Sequence, residues 1–590
     1  MSRFLTCWHR AGANVPESLI AAADRWLARD GRTPPRRLLR GEIACWHWPS
    51  AWAPGAEDAL PLERHGWVGS GVLRLDDRGT LARRLRDRGS DGSEDDASLA
   101  WRSFATWGDQ AAREWCGDYA LAVVSTARDR LVAARSPFGV RACFHARVGE
   151  LTCVSDDLGL LVALAGGRRA PPDEAVGEFL RHGRLVTPTR TFHRGIERVP
   201  AAHTLVIGRD GIARLARHWE LPTPPVRHGE AEGALIEEFH HVLDSAVADR
   251  LRGPQAVLML SGGLDSPALA VAARRAAPDV HVHAFTGDWS SLVASDEAEF
   301  ARMAANATGI PLEVARRLPD AELTGGPPFE TPEPTPDPEP RLTRMDAARL
   351  VMVAPVALVG DDADTLLMPP TLRDQLRSDG LARTARAWGG YLRRTGHRPW
   401  IGARRDLARL RSGGAREHEA PPPWLRAPFA TMGGTGAAGP STETHATRAR
   451  AARALADPLW DANAWINDPA MLGVDFVTLL PFMDPRVIAF CFSLPAVPWL
   501  QRKYLLRRAF DGLLPPALLE RPKTPLTGYF AARVARWRAL GSPAPLPCPV
   551  DAWVDRPRWE AVLARDADPD AVFAAWRVLE LSRWLAQGAS

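Results

Sequence analysis

The sequence predicts an α/β protein in two parts: a strand-rich front over residues 1–220, and a parallel-sheet part with crossover helices over residues 231–590. Three observations carry this. Short alternating apolar runs, such as YALAVV (119–124) and HTLVI (203–207), recur in the front, and a period of two is that of a strand. The segment LPTPPVRHGE (221–230) holds three prolines and marks a linker. Beyond it, strand-length and helix-length apolar stretches alternate, which builds a parallel sheet.

The elements of the second part follow in order. A helix over 234–251 leads to the strand AVLML (256–260), the turn SGGLDS (261–266) and the helix PALAVAARRAA (267–277). The strand VHVHAFT (280–286) precedes a helix over 297–308, and the strand VALVG (356–360) runs into DDADTLL. Residues 457–588 read as amphipathic helix rich in Trp and Leu, whose aromatics are expected in the core. FETPEPTPDPEP (329–340) and the Gly-, Pro-, Ser- and Thr-rich stretch 412–444 read as mobile loops.

Composition excludes several classes. No apolar run approaches the ~20 residues of a membrane-spanning helix, and the N-terminus lacks the basic-then-apolar pattern of a signal peptide. Seven cysteines without a CxxC pair suggest neither a disulfide framework nor zinc, so a cytoplasmic protein is expected. The net charge is only +4 and the arginines are interspersed with acids, which gives no support to nucleic-acid binding. Of 74 basic residues only two are lysines, Lys503 and Lys523. Where Arg is used almost everywhere, a retained lysine points to a site that needs a compact ammonium.

The SGGLDS turn is the strongest motif. Gly262 and Gly263 allow close approach of backbone to a ligand. Ser266 suits an N-cap and Pro267 the first helical position, so the helix N-terminus would face the turn as an anion site. It is not a Walker A loop, since GxxxxGK[ST] is absent.

In its strand–turn–helix setting, SGGLDS resembles the pyrophosphate loop of the ATP pyrophosphatase fold of asparagine synthetases, β-lactam synthetases and lasso peptide cyclases. VHVHAFT with residues 294–310, VALVGDDAD (356–364) and PFMDPRVIAFCFSLP (481–495) with KYLLRRAFDGLLPPALLERPKTPL (503–526) are similar to that family's further motifs, in order. The resemblance implies that ATP is bound by Ser261, Gly262, Gly263, Leu264, Asp265, Ser266, Phe285 and Gly360. It implies Mg²⁺ on Asp265 and Asp364, with Asp362 as the alternative to Asp364 if the register slips. A carboxylate would be adenylated with release of pyrophosphate, and Lys523 would steady the developing charge. Lys503, at a helix start, is given a peripheral place. Asp361 falls where asparagine synthetases carry Glu and β-lactam synthetases Tyr, which suits either a general base for the amine or a support for the metal. Asp362 stands where the family has Gly, a left-handed position that Asp tolerates.

Residues 107–145 are similar to the family's glutaminase-like domain, of Ntn-hydrolase type, a β-sandwich with helices. A glutaminase of this type needs a cysteine exposed as the first residue, whose free α-amine acts as base. Here residue 2 is Ser2, Cys7 is followed by Trp8 and His9, and no Asn-Gly-Glu segment occurs. Cys7 is therefore expected as a core residue and glutamine is not expected as nitrogen donor. The leading expectation is macrolactam closure of a lasso precursor peptide by its own N-terminal amine, with a leader-binding or peptidase partner protein. An asparagine synthetase using ammonia or nitrogen supplied in trans, and a catalytically silent scaffold, are the alternatives.

Overall fold

The computed structural model describes residues 3–28, 34–49, 51–86, 95–317, 330–335, 340–400, 402, 420–431, 445, 447–457, 459–522, 528–539, 546, 548–564 and 569–587. The front contains β1 (Arg3–His9), β2 (Arg36–Arg40), β3 (Ile43–Trp48), β4 (Leu62–Arg64), β5 (Trp67–Asp76), β6 (Cys116–Ser125), β7 (Arg130–Arg135), β8 (Phe144–Val148), β9 (Leu151–Ser155), β10 (Ile196–Arg198), β11 (His203–Gly208) and β12 (Ala213–Arg217). They form two antiparallel sheets, in the orders β10-β8-β9-β1-β3-β2 and β12-β11-β7-β6-β5-β4.

Alternation along single strands sets the layers. On β1, Phe4 and Trp8 face the second sheet, where they meet Val72, Ala120, Ala122 and Val124. Leu5 and Cys7 point the other way, under the helices Glu17–Ala28 and Leu158–Leu164. On β6, Tyr119, Leu121 and Val123 face outward under the helix Asp96–Trp107. Both sheets are thus covered by helix, and the result is the helix-flanked sandwich the sequence predicts. Buried on both faces, β6 reads as an almost unbroken apolar run.

The second part holds one parallel sheet, in the order β15-β14-β13-β16-β17. Three of its strands match the sequence reading: β13 (Gln255–Met259), β14 (His281–Asp288) and β16 (Val356–Val359). Two were not foreseen, β15 (Leu312–Arg316) and β17 (Val477–Leu479). β17 has three residues inside a region read as helical, and only its parallel pairing with β16 makes it a strand. The linker residues before the helix Glu232–Arg250 carry no regular structure. Among the described residues no helix is long and apolar enough to cross a membrane.

Two kinds of contact join the parts. One apolar core runs from Phe4 and Trp8 through Phe239 and Leu243 to Phe490 and Leu506. Beside it lies a buried ionic knot. Arg250, at the end of its helix, sits 3.3 Å from Asp76 of β5 and 2.8 Å from Asp484, while Arg74 holds Asp76 at 2.8 Å and Asp118 at 2.6 Å. Arg486 reaches Asp484 at 2.9 Å and Asp249 at 2.8 Å. Burial would raise the carboxylates of Asp76 and Asp484, but the guanidiniums outweigh it, holding Asp76 well below the usual range and Asp484 below it.

The expectation of mobile loops is corrected where residues are described. In the Pro-rich segment, Glu333 is buried, pairs with Arg198 at 2.9 Å and accepts the Phe192 N–H at 2.8 Å. In the second segment, Trp424 is buried among Val554, Trp559 and Val578, and a short helix spans Ala427–Ala430. Prolines prevent regular hydrogen bonding in such stretches, but one neutralised acid and one aromatic anchor are enough to dock them.

Asp484→Ala leaves Arg250 and Arg486 short of a buried partner. Unfolding followed by circular dichroism should show a loss of about 3–5 kcal/mol. Because Asp76 and Asp484 are depressed in the folded state, their contribution is present above the ordinary carboxylate pKa of about 4 and is lost as pH falls below it. The wild type should therefore destabilise on acidification more steeply than the variant.

Candidate active site

The turn after β13 and the turn after β16 meet at the C-terminal edge of the parallel sheet. The first helical residue after β13 is Asp265, capped by Leu264 with no side-chain bond. This corrects the expectation that Ser266 is the N-cap. Its Oγ instead turns back, accepting the Ser261 N–H at 2.8 Å and lying 3.0 Å from the Ser261 hydroxyl. The turn is thereby closed on itself. Pro267 falls in the first helical turn, where its missing N–H removes no intrahelical bond. Glycine is required at two close approaches. A Cβ on Gly262 would come within 2.8 Å of the Glu297 carbonyl, and one on Gly360 within 2.7 Å of the Ser266 nitrogen.

Asp362 adopts φ 80 and ψ −5, so the left-handed turn survives with aspartate in it. Burial raises Asp361 above the ordinary carboxylate value. Asp362 is pushed up to about 8, first by burial and then by Asp361, Asp265 and Asp364. The carboxylates that converge are Asp265 and Asp364, and the group between them is Lys503. Its Nζ lies 2.6 Å from Asp265 and 2.7 Å from Asp364.

The peripheral place given to Lys503 is therefore corrected. Arg502 and Lys503 both have positive φ, 49 and 55, which turns the lysine into the site from the start of its helix. Sequence position at a helix start could not show that. Lys523 lies outside the described residues. Arg521 was missed among so many arginines: it bonds the Gly262 carbonyl and Asp296, and its guanidinium lies 4.2 Å from the Phe300 ring.

These groups line one cavity of about 1200 Å³. Ser261, Gly263, Leu264, Asp265, Ser266, Phe285, Gly360, Asp361 and Asp364 all border it, and Gly262 adjoins it through Arg521. Phe285 is flanked by Arg317, held by Asp346 at 2.9 and 2.6 Å. Residues from distant segments complete the wall: Phe138 and Val140 from the front, Arg450, and Trp460, Asn463 and Asn467. Sequence reading had no signal for these. The helix bearing Trp460 and Asn463 (Leu459–Ile466) is keyed to the front by Asp461, 2.7 Å from Arg135 and 3.5 Å from Arg198.

The glutamine amidotransferase domain profile matches residues 79–219, and the asparagine synthase profile matches residues 238–586. The chain belongs to the asparagine synthase family. A Mycobacterium tuberculosis protein named as a glutamine-hydrolysing asparagine synthetase is 25% identical over 88% of this chain and 82% of its own length. The glutamine-hydrolysing asparagine synthetase 3 of Bacillus subtilis is 25% identical over 32% of this chain and 31% of its own. Among solved structures, a glutamine phosphoribosylpyrophosphate amidotransferase of B. subtilis aligns over 63% of this chain and 82% of that one, at 11% identity and TM-score 0.26. Membership makes the protein an ATP-dependent carbon–nitrogen ligase with an amidotransferase-type front domain.

Within this asparagine synthase fold Cys7, the cysteine nearest the start of the front domain, is closed off. Cys7 lies in mid-strand opposite Cys153, their sulfurs 3.1 Å apart, and burial pushes its thiol well above the ordinary value. A protonated, buried thiol is no nucleophile. The expected core role of Cys7 agrees with this.

Two carboxylates that grip one ammonium also suit a divalent cation, which prefers oxygen ligands, so Asp265 and Asp364 fit magnesium. Lys503→Met removes the charge shared by both. Pyrophosphate release should fall by at least about a hundredfold, as for loss of one preorganised charge donor, with the melting temperature little changed.

Proposed function

We propose that this ligase closes a macrolactam. It adenylates an Asp or Glu side chain of a precursor peptide, and the peptide's own N-terminal amine then attacks. One observation carries the choice among ligase reactions: the front domain's Cys7 is a buried mid-strand thiol packed on Cys153 rather than a free nucleophile. With Cys7 closed off as a nucleophile, an amine carried by the substrate is the simplest nitrogen source. The cavity is walled by both parts of the chain and is broad enough for more than a nucleotide, which suits a polypeptide acceptor.

In the first step a carboxylate oxygen attacks the α-phosphorus, and the bond to the β-phosphate breaks. The N–H groups that open the helix at Asp265 face the departing pyrophosphate, and the Lys503 and Lys523 ammoniums take up its charge. Magnesium on Asp265 and Asp364 would neutralise the phosphate oxygens. In the second step the amine nitrogen attacks the acyl carbon, the acyl–phosphate C–O bond breaks and AMP leaves. Asp361, whose raised pKa makes it a better proton acceptor, takes the amine proton. Folding the peptide in the cavity would supply the proximity that ring closure needs. A leader-binding or peptidase protein would act beside it.

A second reading is favoured by the names of the relatives: asparagine synthesis from aspartate, with ammonia or nitrogen supplied in trans. Pyrophosphate and AMP release from the purified chain with ATP and magnesium separates the two. Turnover is expected with a peptide bearing a free N-terminus and a carboxylate side chain. Turnover with aspartate and ammonium, but none with peptide, would overturn the macrolactam reading.

Asp265→Ala should abolish pyrophosphate release in that assay. Lys523→Arg should cost at least about a hundredfold, because a planar fork does not replace a point ammonium. Cys7→Ala should leave the rate unchanged; a glutamine-dependent loss would restore the glutaminase.

A further inference from the structure

The helix Leu372–Thr395 with its exit to Arg398 concentrates charge that the chain as a whole does not show. Seven arginines stand against two aspartates over this stretch, while the entire protein carries only +4. This revises the reading of arginines as interspersed with acids. The two aspartates are engaged elsewhere: Asp374 accepts the Thr371 hydroxyl at 3.0 Å, and Asp379 lies 3.7 Å from His228. All seven arginines are exposed. Arg394 pairs with Glu232 at 3.2 Å, but Arg373, Arg377, Arg383, Arg386 and Arg398 meet no carboxylate among the described residues.

The arrangement is a stripe. Gly380, at φ 73 and ψ 165, breaks the helix. After the break, at about 100° per residue, Arg383, Arg386, Arg393 and Arg394 fall within an arc of about 100°. Like charges at such spacing repel and destabilise a helix that nothing neutralises. Leu381 and Leu392, 75% and 45% exposed, fall outside the stripe, about 100° or more around the helix from its nearest arginine. Both ends of the helix adjoin the cavity. Met368 and Pro369, which line it, precede the first turn. Beyond the last, Trp400 lies under the guanidinium of cavity-lining Arg450 at 4.7 Å.

We propose that this helix docks an acidic segment of the polypeptide substrate while the reacting part enters the cavity. The choice of a polypeptide rests on the macrolactam reading. Charge complementarity sets its acidic character: Arg383 and Arg386 of the stripe are exposed and meet no carboxylate among the described residues.

Fluorescence anisotropy on the full chain without ATP tests the docking apart from turnover. The probe is a fluorescein-labelled peptide of four Glu-Ala-Leu-Asp repeats. Saturable binding is expected, weakened by salt, and weakened about tenfold or more in the R383E/R386E/R393E variant. The corresponding Gln variant, which keeps helix propensity, should weaken it in the same direction; matching melting curves exclude misfolding. Unaltered binding in both variants would overturn the proposal. So would tighter binding of a single-stranded DNA of equal length, or of phosphatidylserine vesicles, than of the peptide. If the peptide docks but no peptide supports pyrophosphate release, the docking surface stands and the macrolactam reading falls.

Discussion

Arg250 joins three stretches of chain that are far apart in sequence. It ends the first helix of the ligase part, and it neutralises Asp76 of the front sandwich and Asp484 of the helical C-terminal region. None of these charges is stable alone in an apolar interior, since an unpaired buried ion costs several kcal/mol. Together they over-determine one arrangement of the parts. Asp76, Cys116 and Asp484 also lie close enough to suggest a metal site, but the guanidiniums already supply the cation. The apolar core that crosses the same boundary provides burial without direction, whereas the ion pairs fix the register.

That register decides the shape of the cavity. Asp461 faces Arg135 and Arg198 of the front, and the same short helix presents Trp460 and Asn463 to the cavity. Phe138 and Val140 come from the front domain directly. The front domain, with Cys7 sealed in mid-strand, thus builds one wall of the ligase site.

Inside the cavity, charges are balanced at short range. Asp265, Asp361, Asp362 and Asp364 crowd one edge of the sheet, and burial, with the repulsion of its three neighbours added, raises Asp362 to about 8. Lys503 relieves part of that by bridging Asp265 and Asp364. A compact ammonium fits between two carboxylates at hydrogen-bond distance on each side, where a planar guanidinium would force them apart. The survival of lysine here, in a chain otherwise written in arginine, follows from that geometry.

By itself the sequence determined the two-part α/β organisation, the Ser-Gly-Gly turn and the acidic turn, and it singled out two solitary lysines. These are local facts: a period of two, a strand–Gly-Gly–helix junction and an avoided Arg each act within a few residues. It also sufficed for the left-handed aspartate at 362, because tolerance of that backbone belongs to the residue. Only the tertiary structure decided which lysine bridges the metal-type carboxylates, since two positive φ values at 502 and 503 re-aim a side chain that sequence places at a helix start. It alone showed that Ser266 closes the turn instead of capping the helix, that Glu333 and Trp424 pin stretches that read as loose, and that β17 completes the sheet. The last three depend on partners more than a hundred residues away, the lysine on two backbone angles and Ser266 on a side-chain rotamer, and none of these leaves a periodic trace in the chain.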